Sequence, residues 1–269
     1  MIGVAGCGRM GTGMLAALRR AGYDARGFDI RPVCEFGQLT PHVTNDVKAF
    51  AQHLETLITV VRDIPQTEVV LFGAQGFTHA KQLNRVLICS TLSPRYTRDL
   101  RGRIPAHVDL IDAPMSGAQI AAQEARLSFM LGGTTEALAA ARPLLAAMGR
   151  HFHHMGPFGA GMQAKVLNNL LAAANTAMTR LVLDWADEAG LNERALLDLI
   201  HTSSGQNWFA SNFDAIEFAR DGLDPDNTIA ILVKDVESAL DAAPDGADTT
   251  LPETVRAAIR TLKARPSSR

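Results

Sequence analysis

Cysteine is scarce in this chain: Cys7, Cys34 and Cys89 are odd in number and widely spaced along 269 residues. That excludes a disulfide framework and a cysteine-ligated metal cluster, and it fits a reducing compartment, so a cytoplasmic protein is expected. Charge of one sign is also missing. The net charge is −2 with the basic residues scattered, so neither nucleic acid nor an anionic membrane is an expected partner. No long apolar run is uninterrupted. The most apolar helical pattern, after Gly161, carries Asn168, Asn169, Asn175, Thr176 and Arg180, which makes it a poor membrane span. The chain opens directly on a strand pattern, leaving no room for a signal peptide. The His151-Phe152-His153-His154 stretch has no neighbouring Asp, Glu or Cys to complete a metal site, and no metal is expected. What the chain does have is 47% hydrophobic and 20% charged residues, enough to bury a large core and to divide into two domains.

Near the start, Gly6-Cys7-Gly8-Arg9-Met10-Gly11 follows a short apolar run and leads into Met14-Leu15-Ala16-Ala17-Leu18, a helical pattern that closes near Gly22. A dinucleotide site needs strand, glycine turn and helix in that order. Gly6 permits the tight turn, Gly8 lets backbone approach a pyrophosphate, and Gly11 allows close packing of helix on strand. Arg9 and Met10 would offer backbone amides at the positive helix N-terminus. A second strand over 24–28 ends in Asp29, at the spacing of an acid that bonds the adenosine ribose hydroxyls and repels a 2′-phosphate. NAD is therefore expected over NADP. Arg31, two residues on, can swing toward a phosphate and keeps NADP open, and Asp29 also reads as an ordinary strand-end cap.

Short strand-like runs at 56–61, 86–90, 108–112, 127–131 and 152–155 alternate with helical patterns at 46–53, 78–83, 94–100 and 136–148. Such alternation implies an α/β domain with a doubly wound, mostly parallel Rossmann-type sheet over residues 1–158. Strand signals then stop. Residues 159–269 read as an all-helical substrate and dimerisation domain. It starts with a long interdomain helix to about Ala189, ended by Gly190, and continues with helices at 193–201, 209–220, 229–242 and 252–264. The last four residues, from Pro266, look frayed.

That long helix sets Lys165 and Asn169 one turn apart on one face, among Val166, Leu167, Leu170 and Leu171. A lysine taken out of water needs compensation. Burial that lowers its pKa from about 10.4 to about 7–8 would make Lys165 a general base. A lysine that snorkels its amine to water is the alternative. Two turns after strands are further candidates. In Ser90-Thr91-Leu92-Ser93-Pro94, Ser93 and Pro94 read as a helix cap and first helical residue. In Asp112-Ala113-Pro114-Met115-Ser116-Gly117, the Ser116 hydroxyl and the amides around Gly117 can accept a carboxylate.

In order, the glycine loop through Met14, the Ser90–Pro94 turn, the Asp112–Gly117 turn, and the stretch from Gly156 through Lys165 to Asn169 resemble the β-hydroxyacid dehydrogenase family. That family includes 3-hydroxyisobutyrate dehydrogenases, tartronate semialdehyde reductases and, more distantly, 6-phosphogluconate dehydrogenases. The resemblance runs from Met1 to about Ala242. It implies an NAD(P)-dependent oxidoreductase that moves a hydride between a nicotinamide and a small 3-hydroxy acid or its semialdehyde. Lys165 would be the catalytic acid/base and Asn169 the residue that orients substrate. Ser116 and Gly117 would hold the substrate carboxylate, Thr91 would lie by the nicotinamide ribose, and Lys234 near substrate and cofactor. A homodimer or homotetramer is expected, with Trp185 and Trp208 as core or interface anchors.

The chain departs from the family pattern in places. Ala118 and Ala125 stand where glycines are usual, Arg62-Asp63 replaces an apolar–proline pair, and the chain ends a few tens of residues early. An imine reductase-like enzyme is an alternative that Lys165 argues against. A dinucleotide-binding sensor without turnover is another.

Overall fold

The computed structural model describes residues 1–266; Ser267–Arg269, part of the expected frayed end, lie outside the described residues. The chain divides into two compact units, Met1–Lys165 and Val166–Arg269.

The first unit is built on one nine-stranded sheet. Strands β1 (Ile2–Ala5), β2 (Ala25–Phe28), β3 (Val43–Thr44), β4 (Thr56–Thr59), β5 (Arg85–Ile88) and β6 (Asp109–Asp112) run parallel in the order β3-β2-β1-β4-β5-β6. Beyond β6 the sheet turns mixed. β8 (Leu127–Gly132) is antiparallel to β6 and to the short β7 (Met115–Ser116), and β9 (Gly149–Gly156) lies parallel to β8. The central residues of the parallel strands β1, β4, β5 and β6 are apolar because both faces are covered. Alternation sends Val4, Ile58, Leu87 and Ile111 into the core that contains Leu15, Leu18 and Leu144. Their neighbours Ala5, Leu57, Val86, Ile88 and Leu110 enter the opposite core with Phe28, Phe50 and Phe77. Those three rings meet at centroid distances of 4.7–5.4 Å. The helices on the faces are α1 (Arg9–Arg20), α2 (Val47–Ala51), α3 (Ile64–Leu71), α4 (Pro94–Arg103), α5 (Ala118–Gln123) and α6 (Thr135–Ala146).

One expectation is corrected here. The helix expected at 78–83 is a single 3-10 turn, Phe77–His79, and the helix of this stretch is α3, earlier in the chain. Asp63 caps it by accepting the Gln66 amide at 2.9 Å, with proline in the first turn. The pair Arg62-Asp63 thus starts a helix. Ala118, the first residue of α5, and Ala125, just past its end, both have left-handed backbone, φ 53° and 55°. Alanine in that region costs on the order of 1 kcal/mol that glycine would not.

Helix α7 (Ala160–Glu188) begins in the first unit and continues into the second, where α8 (Glu193–Thr202), α9 (Trp208–Ser211), α10 (Thr228–Asp241) and α11 (Thr250–Arg260) follow. Gly190, at φ 71°, closes the end of α7 as its position predicts. Ala173, Ile229, Val236 and Ile259 share one core, and Leu183, Leu197, Phe209 and Phe213 another. The helix expected over 209–220 stops at Ser211. Phe209, Phe213 and Phe218 then fold onto each other, and the carbonyls of Ala219 and Asp221 turn to the buried Arg180 guanidinium, each at 2.9 Å. The helix expected to reach 264 ends at Arg260, and the strap 262–266 is held by Arg180 on the Lys263 carbonyl.

Among the described residues, no helix is long and apolar enough to cross a membrane.

Candidate active site

Because β1, β4, β5 and β6 are parallel neighbours, the turns that leave their carboxyl ends line one edge of the sheet. Strand order reverses between β2 and β4 across β1, and a crevice at such a switch is where open parallel sheets bind ligands. Along this edge lie the glycine loop, then 60–62, then 90–93 with Thr91, then 113–117 with Ser116 and Gly117. A hydrogen bond ties two of the turns, the Val61 amide donating to Ser90 Oγ at 2.9 Å.

The three loop glycines have different reasons. Gly6 has φ 94°, and a Cβ there would lie 2.5 Å from the Val60 carbonyl oxygen; one on Gly11 would land on the Gly6 carbonyl oxygen. Packing alone requires both. A Cβ on Gly8 meets nothing within 4 Å, so the protein itself does not demand glycine there. Gly8 is also the residue before α1, and no side chain caps that helix. The amides of Arg9, Met10 and Gly11 open α1 at this uncapped end, where an anion is stabilised. Open space at Gly8 and an uncapped helix fit a pyrophosphate.

Asp29 is 8% exposed at the end of β2. Its carboxylate accepts the Cys7 amide at 2.8 Å, the Arg31 amide at 3.1 Å and Arg31 Nε at 3.0 Å. Burial works against its charge, but the bonds from Arg31 and from the Cys7 amide outweigh it and hold the carboxyl below the usual carboxylate range. The Arg31 guanidinium also donates to the Cys7 carbonyl at 2.8 Å and lies over the Phe36 ring. Both expected ribose-site residues therefore meet, locked to each other and to the loop. Cys7 is buried beside them, and burial together with the Asp29 charge pushes its thiol up to about 12, so it stays protonated and unreactive.

The turn after β5 starts α4 as expected, with Ser93 accepting the Tyr96 amide at 3.3 Å and Pro94 opening the helix. Ser116 of β7 pairs with Ser128 of β8, and Gly117, at φ 134°, leads into α5. Lys165 is 7% exposed, one turn beyond the start of α7. The preceding turn is pinned at the sheet edge. Asp112, at the end of β6, accepts the Gly159 amide at 2.7 Å and the Met162 amide at 2.5 Å. The Leu92 amide meets the Met162 sulfur at 3.3 Å. In the helical unit, Asn169 donates to Asp235 at 2.6 Å, and Lys234 lies 3.2 Å from the same carboxylate. Asp112, which holds the helix start before Lys165, and Asp235, which holds Asn169, stand in stretches the sequence reading singled out, but it gave neither a role. The signal was a carboxylate at the end of a buried strand and another on the apolar face of α10.

The histidine stretch lies within β9, and among the described residues no three His, Cys, Asp or Glu side chains are gathered as for a metal ion.

A family model described as the NAD binding domain of 6-phosphogluconate dehydrogenase matches residues 1–156. A second, described as NAD-binding of NADP-dependent 3-hydroxyisobutyrate dehydrogenase, matches residues 159–267. The chain belongs to the β-hydroxyacid dehydrogenase family. An L-threonate dehydrogenase of Cupriavidus necator is 31% identical over 247 residues, spanning 90% of this chain and 83% of that protein. The mitochondrial 3-hydroxyisobutyrate dehydrogenase of Rattus norvegicus is 29% identical over 90% of this chain and 75% of its own. Among solved structures, the Mycobacterium tuberculosis 3-hydroxyisobutyrate dehydrogenase with L-serine superposes with a TM-score of 0.80 at 27% identity, covering 97% of this chain and 95% of that one. This β-hydroxyacid dehydrogenase is thus an oxidoreductase that uses a nicotinamide dinucleotide, whose pyrophosphate fits the Gly8 end of α1.

Proposed function

We propose that this dehydrogenase interconverts a small 3-hydroxy acid and its semialdehyde, with NAD preferred and Lys165 as the general acid/base. The observation that carries the reading is a buried lysine one turn beyond a pinned helix start, on the sheet edge that also carries Gly8 and Ser116. Neutral Lys165 takes the proton of the substrate hydroxyl in oxidation and returns it in reduction. The dinucleotide supplies the ring that accepts or delivers hydride. Ser116 and the Gly117 amide hold the substrate carboxylate, and Thr91 contacts the nicotinamide ribose. Asn169, its amide fixed by Asp235, orients the substrate, with Lys234 near both ligands. The names of the relatives support the substrate class, since threonate, 3-hydroxyisobutyrate and serine each join a carboxylate to a hydroxyl within a few carbons. The three scattered cysteines support a cytoplasmic location.

The test follows the ultraviolet absorbance of the reduced dinucleotide, with NAD or NADP and a panel of 3-hydroxyisobutyrate, 3-hydroxypropionate, glycerate, threonate and serine, and the semialdehydes in reverse. Turnover on one of these with NAD is the expected result. Silence across the panel despite dinucleotide binding would overturn the substrate class. In the same assay Asp29→Ala frees Arg31 from its carboxylate and removes the charge facing a 2′-phosphate. It should weaken NAD by roughly tenfold and narrow the NAD-over-NADP ratio, a loss of about 1.4 kcal/mol. An unchanged ratio would remove Asp29 from cofactor choice.

A homo-oligomer is proposed on the exposed face of α7. Leu167, Leu171, Met178, Leu181 and Trp185 recur at helical spacing on one stripe and are all exposed, Trp185 at 64%. Sedimentation should find a dimer or tetramer in the wild type and a monomer in the double variant Met178→Glu/Trp185→Glu. A monomeric wild type would end the proposal.

A further inference from the structure

Asp112 is fully buried, and no step of the proposed chemistry uses it. Its two carboxylate oxygens take different amides of the same helix start, Oδ1 that of Gly159 and Oδ2 that of Met162. Met162 lies three residues before Lys165, so whatever fixes the height of that turn fixes the height of the lysine. The fit around the carboxylate is close. A Cβ on Gly132 would land on Asp112 Oδ1, and one on Gly161 would land on the Met130 carbonyl oxygen, so the helix start and the carboxylate have little room to shift. Asp112 also ends β6, immediately before the turn that carries Ser116 and Gly117. One side chain therefore joins the substrate-carboxylate turn to the lysine helix.

We propose that Asp112 is a positioning residue that sets the register of Lys165 against the Ser116–Gly117 turn, and that its ionised form is the one that does so. Only the carboxylate offers both oxygens as acceptors, whereas the protonated acid turns one into a donor facing an amide N–H. Burial pushes this carboxyl up to about 6, against the backbone bonds from Gly159 and Met162 that lower it. The titratable group coupled to it is the Cys89 thiol at the end of β5, which burial and the Asp112 charge push far up and keep neutral. The charged groups on the elements packed there are Arg98 of α4, whose methylenes lie over Gly159, and Lys165, three residues beyond Met162 in α7. As pH falls through about 6, Asp112 is expected to take up a proton, one amide of the helix start to lose its acceptor, and Lys165 to lose its register.

The proposal rests on the reading of Lys165 as the proton carrier, and its test runs in the reduction direction. There Lys165 must begin protonated, so the lysine causes no loss of rate on the acid side. With a semialdehyde and reduced dinucleotide, wild-type kcat should fall about tenfold per pH unit below about 6. Asp112→Asn keeps the shape but does not titrate. It should lower kcat about tenfold or more at neutral pH, leave dinucleotide Kd within about twofold, and abolish the acid limb. An acid limb that persists unchanged in Asp112→Asn, or an unaltered kcat, would overturn the assignment. Amide hydrogen exchange of the wild type decides the matter without turnover. Corrected for intrinsic rates, protection at Gly159 and Met162 should drop about tenfold between neutral pH and about pH 5, and pH-independent protection would refute the proposal. Absence of turnover on every substrate, with the exchange signature present, would instead count against the reading of the reaction.

Discussion

Lys165→Met should lower kcat by about a thousandfold, within the range by which positioned acid–base groups accelerate proton transfer, while dinucleotide Kd stays within about twofold. Methionine keeps the unbranched stem among buried neighbours and removes the amine, so loss of packing does not confuse the result. The expected pattern separates the lysine from cofactor binding because the residues proposed for the pyrophosphate and the adenosine ribose lie elsewhere, on the loop after β1 and at the end of β2. A variant that keeps near-wild-type kcat would show that another group carries the proton. A variant that binds the dinucleotide normally and has lost turnover leaves no ground for a non-catalytic sensor.

The second large effect concerns stability. Arg265 is 8% exposed in the strap after α11, and its guanidinium reaches Glu193 at 2.7 Å, Asp184 at 2.6 Å and Asp187 at 2.6 Å. The two aspartates are more than half exposed and contribute little. Glu193 is buried, and burial opposes its charge. Bonds from Arg220 and Arg265 outweigh that cost and hold its carboxyl below the usual glutamate range. With the folded pKa below the unfolded one, this contribution is present at neutral pH and is lost only as pH falls below that range. Arg265→Ala leaves Glu193 with Arg220 alone, at 2.6 Å, and should cost about 3 kcal/mol. Calorimetry should then show the helical unit melting at least about 10 °C lower, with the sheet unit unchanged. A shift under about 2 °C would mean that Arg220 alone satisfies the carboxylate.

How far the sequence revealed these features depended on how local their causes are. The β1 turn, the Ser93-Pro94 cap and the Gly190 stop are set by residues within a few positions of each other, and each stands where its residues predict. The start of α3 is equally local, with Asp63 as its cap, yet these residues drew notice only as a departure from the family pattern. Other features have distant causes. The segment after α9 is held by Arg180, some forty residues before the Ala219 and Asp221 carbonyls that it takes. Asp112 meets amides 47 and 50 residues later, and Asn169 meets a carboxylate 66 residues later. No spacing rule reaches so far, so the candidate catalytic residues were legible while the groups that hold them were not.

The two left-handed alanines around α5 bear on how this protein can change over generations. Their neighbours impose a backbone that glycine adopts freely, at a combined cost of roughly 2 kcal/mol. Alanine and glycine codons differ at a single base. Ala118 and Ala125 are therefore a stability reserve one base change deep at each position, able to absorb an otherwise damaging substitution elsewhere while a lineage explores new substrates.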